Sequence, residues 1–118
     1  MKCTLEDLVK AKTSFDKIIK QDIDISVAFD IKKKIRPILV EFKDYEDAQK
    51  KLFEKYGELR GQQYFIKPEN SEVANTELKQ LLEKEVKVDI QKIEIDVLKK
   101  QNIRLSIEDL MNLEEFIK

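Results

Sequence analysis

Residues 31–56, IKKKIRPILVEFKDYEDAQKKLFEKY, carry the longest apolar rhythm in the chain. Ile31, Ile35, Ile38, Phe42, Tyr45, Gln49, Leu52 and Tyr56 follow at alternating spacings of four and three, with Gln49 the one polar interruption. That spacing lays them along one side of an α-helix. At 1.5 Å per residue the helix would reach about 40 Å, longer than a small domain needs, so other elements must wrap its stripe or a second copy must share it. Leu39 and Phe53 widen the stripe towards a globular core face, and four clean heptads are not sustained. Internal packing is therefore expected, with a homo-oligomer through the Ile31–Tyr56 helix as the alternative. Pro37 lacks an amide hydrogen and its ring would strike the carbonyl of Lys33, so the helix is expected to kink there. The other solution starts the helix at Pro37 itself. Asp30 is the candidate cap at one end and Gly57, in a left-handed conformation, at the other.

Working outward, Thr4 and Asp7 form an approximate capping box, and Leu5, Leu8, Val9, Phe15, Ile18 and Ile19 give the first helix its apolar face. Beyond Gln21, Ile23, Ile25, Val27 and Phe29 alternate with Asp22, Asp24, Ser26 and Ala28, which predicts a half-buried strand. Gln62–Lys67, with Tyr64, Phe65 and Ile66, predicts a second strand closed by Pro68. Asn70 or Ser71 then caps a helix with Val73, Ala74, Leu78, Leu81 and Leu82 inward. Val86, Val88 and Ile90 predict a third strand, and Ile93 with Ile95 shifts its register. A short helix over 96–100 follows. Ser106 and Asp109 make another capping box for a last helix with Leu110, Leu113, Phe116 and Ile117 inward. The expected fold class is α+β, compact and mixed, a single domain over residues 1–118. Its small sheet of about three strands is covered by helices, with one long kinked central helix.

Composition excludes much chemistry. The chain of 118 residues is 40% charged, but 23 Lys and Arg nearly balance 24 Asp and Glu for a net charge of −1, against a general polyanion binder. A nucleic-acid partner is therefore not expected. With no His, the Ser-His, Cys-His and His-zinc sites cannot be built. The only two glycines, Gly57 and Gly61, are too few for a phosphate loop or dinucleotide fingerprint. The single Cys3 cannot pair within the chain, no run approaches the length of a membrane span, and the charged N-terminus is unlike a signal peptide. Cytoplasmic residence, no membrane partner and no cofactor are the expectations.

One enzyme-like pattern survives. Glu85 and Lys87 share a strand face, with Pro68-Glu69 upstream, as in Mg²⁺-dependent nucleases that hold the metal on carboxylates with a lysine beside the phosphate. In a chain this rich in Glu and Lys the triplet is expected by chance, and a solvated strand face is the better reading. Asp22, Asp24 and Asp30 lack the glycine turn and closing Glu of a calcium loop. Lys32, Lys33, Lys34 and Arg36 form the densest basic cluster, able to meet an acidic partner, though acidic residues follow at once and a plain helix surface is favoured. Tyr64 and Ile66 fall on one strand face and Phe65 on the other, so one aromatic faces solvent unless helices cover both sides. An exposed Phe65 is an interface anchor. Tyr64, Phe65, Lys32, Lys33, Lys34 and Arg36 are the candidate partner-binding residues.

Lys55-Tyr56-Gly57-Glu58, Pro68-Glu69-Asn70, Glu77-Leu78, Leu81-Leu82, Glu85-Val86, Val88-Asp89-Ile90 and Lys92-Ile93 resemble a widespread group of small, uncharacterised bacteriophage and prophage proteins. The resemblance covers roughly residues 23–117, mostly core and turn positions, and is a likeness of fold. It implies a phage-encoded protein of the host bacterial cytoplasm. The expected function is non-enzymatic binding of a host or phage protein, such as a component of a bacterial antiviral defence. The alternatives are a virion assembly factor or minor structural component, and an oligomeric sponge for a nucleotide signal.

Overall fold

The computed structural model describes residues 2–118. In chain order these form strand β1 (Lys2–Thr4), helices α1 (Leu5–Ile19), α2 (Ile25–Lys34) and α3 (Arg36–Tyr56), and strands β2 (Gly57–Arg60) and β3 (Gln63–Ile66). A 3-10 turn (Pro68–Asn70), α4 (Ser71–Leu82), β4 (Glu85–Lys87), α5 (Ile95–Lys100) and α6 (Ile107–Leu113) complete the chain. The class is α+β as expected, but the strands form two separate antiparallel pairs, β1 with β4 and β2 with β3, in place of one sheet of three. In the first pair Cys3 stands opposite Val86, and the Leu5 amide extends it by donating to the Lys84 carbonyl at 2.8 Å.

The α1 expectation holds in detail. Thr4 Oγ1 accepts from the Asp7 amide at 3.1 Å while Asp7 Oδ2 accepts from the Thr4 amide at 3.2 Å, satisfying two donors that the first turn leaves free. Leu8, Ala11, Phe15 and Ile18 then bury completely on one face.

The strand expected over 23–29 is a helix. Asp24 Oδ1 accepts from the Ser26 amide at 2.8 Å and the Val27 amide at 3.4 Å, so it caps α2. Ile23, Val27, Ile31 and Ile35 recur every fourth residue and pack on the core, whereas Ile25 (86% exposed) and Phe29 (64%) lie outside. The apparent period of two interleaved two faces of a helix. Asp30 lies inside α2 and caps nothing.

The long helix is likewise two. Ile35, at φ −92° and ψ 5°, ends α2 and starts α3, and Pro37 sits in the first turn of α3, where a missing amide hydrogen is harmless. The apolar phase survives because Ile31, Ile35 and Ile38 all enter the same core. Gly57 is not a left-handed cap: its φ is −106° and ψ 176°, extended, and it opens β2.

The core gathers α1, α2, the first half of α3, Val88, Ile93, Leu98, Leu113 and Phe116. Phe15 and Phe116 meet edge to face, with centroids 6.2 Å apart. The last residues close it: Ile93 donates to the Phe116 carbonyl at 3.0 Å, and Lys118 donates to the Ile93 carbonyl at 2.9 Å. Leu110, expected inward on α6, is 40% exposed. Between residues 46 and 87 only Ala74 is buried, so a well-cored head carries a thinner tail made of the end of α3, the β2–β3 hairpin and α4. The Cα radius of gyration is 16.6 Å, with extents of 50 × 32 × 24 Å. A compact chain of this length would have a radius of about 13.5 Å.

Candidate protein-interaction site

The hairpin is built where α3 ends. Gly57 is required there by proximity: a Cβ would stand 2.5 Å from the Phe53 carbonyl oxygen and 2.9 Å from that of Phe65. The Tyr56 carbonyl accepts from the Lys67 amide and from Asn70 Nδ2, both at 3.2 Å, tying the base of the hairpin to α3. Asn70, expected to cap α4, is used for this tie and makes no side-chain cap. At the tip Gly61 takes φ +65° and Gln62 does not, the pattern of a type II′ turn. The pairs Glu58↔Phe65 and Leu59↔Tyr64 are thereby fixed.

That register sets two faces. Leu59 and Tyr64 share one, where Tyr64 borders a shallow depression of about 350 Å³ against α3, lined also by Glu46, Gln49, Lys50, Phe53 and Gln63. Glu58, Arg60 and Phe65 share the other. Arg60 places its guanidinium carbon 5.5 Å from the Phe65 ring centroid and donates from Nε to Glu58 Oε1 at 2.7 Å. The bond and charge of Arg60 hold the Glu58 carboxyl below its usual range. Leu59, Tyr64 and Phe65 are 59%, 39% and 45% exposed, so the hairpin offers apolar and aromatic surface on both faces. An exposed aromatic beside Arg is the composition of an interface anchor.

The basic candidates lie elsewhere. Lys32, Lys33 and Lys34 close α2, and Arg36 opens α3; Lys34 is half-buried and the others are exposed. The 21 residues of α3 run between this cluster and the hairpin, a span of about 30 Å, so the structure does not bring the two groups together. Lys33 and Lys34 border a groove of about 470 Å³, but Asp30 and Asp89 line it too, which offsets any preference for anions. Leu59 was missed by sequence reasoning because the two-glycine region reads as a short connection; its signal was the pairing with Tyr64 across a two-residue turn.

Polar residues also meet in the head. Ser14 Oγ donates to Asp109 Oδ1 at 2.9 Å and accepts from Asn112 Nδ2 at 3.2 Å, while Lys17 Nζ donates to the same carboxylate oxygen at 3.1 Å. Burial would raise the Asp109 carboxyl, but bonds from Ser14, the Ser106 amide and Lys17 outweigh it and lower the pKa from 3.8 to about 2. Ser14 is completely buried, so this constellation of hydroxyl, carboxylate and ammonium presents no nucleophile to a substrate. It fastens α6 to α1. Burial, then the nearby Asp7 and Glu115 carboxylates, raise the Cys3 thiol pKa and keep the thiol protonated.

Asp24 is spent on capping α2, with Asp22 two residues before it, and Glu85 and Lys87 face solvent on β4. Among the described residues no group of three or more Cys, Asp and Glu converges as a metal site, and no helix is long and apolar enough to cross a membrane. Comparison with protein-family models, curated sequences and solved structures finds no match.

Proposed function

We propose that this chain is a non-enzymatic accessory protein of a bacteriophage or prophage, acting in the bacterial cytoplasm by binding another protein. A component of an antiviral defence system is the target this reading favours. The observation that carries the binding reading is the β2–β3 hairpin, which holds Leu59, Tyr64 and Phe65 exposed on a ribbon tied at its base to the end of α3. The phage assignment rests on the sequence resemblance across residues 23–117. Exposed aromatics with Arg60 supply the desolvating anchor of an interface, and a two-stranded ribbon has outer edges to which an extended segment can add. Of the stripe that oligomerisation through Ile31–Tyr56 would use, Ile31, Ile35, Ile38 and Tyr45 are buried in the chain's own packing, while Phe42, Leu52 and Tyr56 are half-buried.

The test is co-purification from infected cells with the wild type, Phe65→Asp, and a Lys32→Glu/Lys33→Glu/Lys34→Glu variant. The hairpin variant should lose the partner while the α2 variant keeps it. Retention of every partner by Phe65→Asp would put the binding surface elsewhere.

A further inference from the structure

Two exposed helix faces of the head, α2 and α6, share a spacing with opposite charge. On α2, Ile25, Phe29 and Lys32 recur at i, i+4 and i+7, with Lys33 beside Lys32. On α6 and the turn that continues it, Ile107, Met111 and Glu114 recur at the same intervals, with Glu115 beside Glu114. Glu114 keeps helical dihedrals (φ −49°, ψ −42°), so the spacing holds past the last residue of α6. Ile25, Phe29, Ile107 and Met111 are 86%, 64%, 79% and 70% exposed, more than any other large apolar residue described. Lys32, Lys33, Glu114 and Glu115 are exposed, and none has an opposite charge within 4.0 Å among the described residues.

We infer that α2 of one copy packs in parallel along α6 of a second copy, and reciprocally, forming a two-fold dimer. In that alignment Ile25 meets Ile107, Phe29 meets Met111, and Lys32 and Lys33 meet Glu114 and Glu115. Aromatic against thioether is a favourable contact, and flanking charges fix the register. Both helices begin at one junction: Gln101 Oε1 accepts from the Asp24 amide at 2.9 Å, and the Gln21 side chain bonds the Arg104 amide and carbonyl at 2.8 and 2.7 Å. A two-fold contact there engages both pairs together. The chain has surface to spare. Its accessible area is 8488 Å², against about 6,700 Å² for a compact monomer of this mass, an excess to which the thin tail contributes, and a standard interface takes about 800 Å² from each partner. The dimer does not rest on the hairpin reading and leaves Leu59, Tyr64 and Phe65 free.

Charge exchange tests it. Lys32→Glu/Lys33→Glu makes both faces acidic, and Glu114→Lys/Glu115→Lys makes both basic. Sedimentation velocity should show wild-type dimer, each variant alone weakened at least about tenfold in Kd, and an equimolar mixture of the two restored as a heterodimer. Restoration also proves that both variants fold. Phe29→Asp should dissociate the dimer and Phe65→Asp should not. A wild type that is monomeric at about 1 mM, the scale of the weakest specific contacts, or a mixture that stays monomeric, overturns the proposal.

Discussion

Replacing Asp109 by Asn removes the one carboxylate buried among the described residues while keeping its size. The hydrogen bonds and charge around it hold the folded carboxyl at about 2, against 3.8 for a free carboxyl. That difference corresponds to about 2 kcal/mol of stability at neutral pH. Because the folded pKa is the lower one, the contribution is complete above roughly pH 5 and fades as pH falls through 4 towards 2. Asn offers one acceptor where the carboxylate accepts from Ser14, Lys17 and the Ser106 amide. At pH 7 the variant should therefore lose about 2 kcal/mol, near 8 °C in Tm for a domain of this size. Urea titration at pH 7, 4 and 2.5 reads the effect, and the deficit should be little changed at pH 4 and fall to about a third at pH 2.5. Ser14→Ala and Asp109→Asn should also combine with less than additive cost, since they share a bond. A deficit that stays constant down to pH 2.5 would refute the claim that ionised Asp109 fastens α6 to α1.

Gly57→Ala should destabilise by about 2 kcal/mol or more, because its Cβ would strike two carbonyl oxygens, while Gly61→Ala meets no atom within 4 Å and should cost about 1 kcal/mol through its positive φ; denaturant midpoints separate the two. Phe15→Ala should cost about 3–5 kcal/mol by emptying the centre of the core against Phe116, measured by thermal melting. Cys3 should react with a disulfide reagent at pH 7 more slowly than a free cysteine peptide, and its rate should rise at higher pH as the thiolate forms. Leu59→Asp should leave Tm almost unchanged, since the side chain is 59% exposed, yet weaken any complex made through the hairpin.

The residues most legible in the sequence were those whose signal is local. Thr4 with Asp7 and Ser106 with Asp109 announced two helix starts, and Tyr64 with its neighbours announced β3, because caps and strand alternation need no distant partner. Residues 22–29 misled because Ile25 and Phe29 are apolar without being buried; a helix with apolar residues on both faces can imitate a period of two. β1 was hidden because three residues carry no periodicity, and it is a strand only by pairing with β4, more than eighty residues away. Ser14 gave no sign beyond its place on the buried face of α1. The Phe65 face was legible as a possibility from alternation alone, whereas its exposure depended on which helices cover the hairpin, a tertiary fact.

The most direct test of the binding claim is hydrogen exchange on the isolated complex, resolved by mass spectrometry, against the free protein. Exchange protection concentrated in residues 57–66 is the expected result, since ordering and covering the ribbon must slow its amides. A complex that protects α2, α3 or α4 and leaves the hairpin exchanging as in the free chain would contradict the assignment of the hairpin as the binding element.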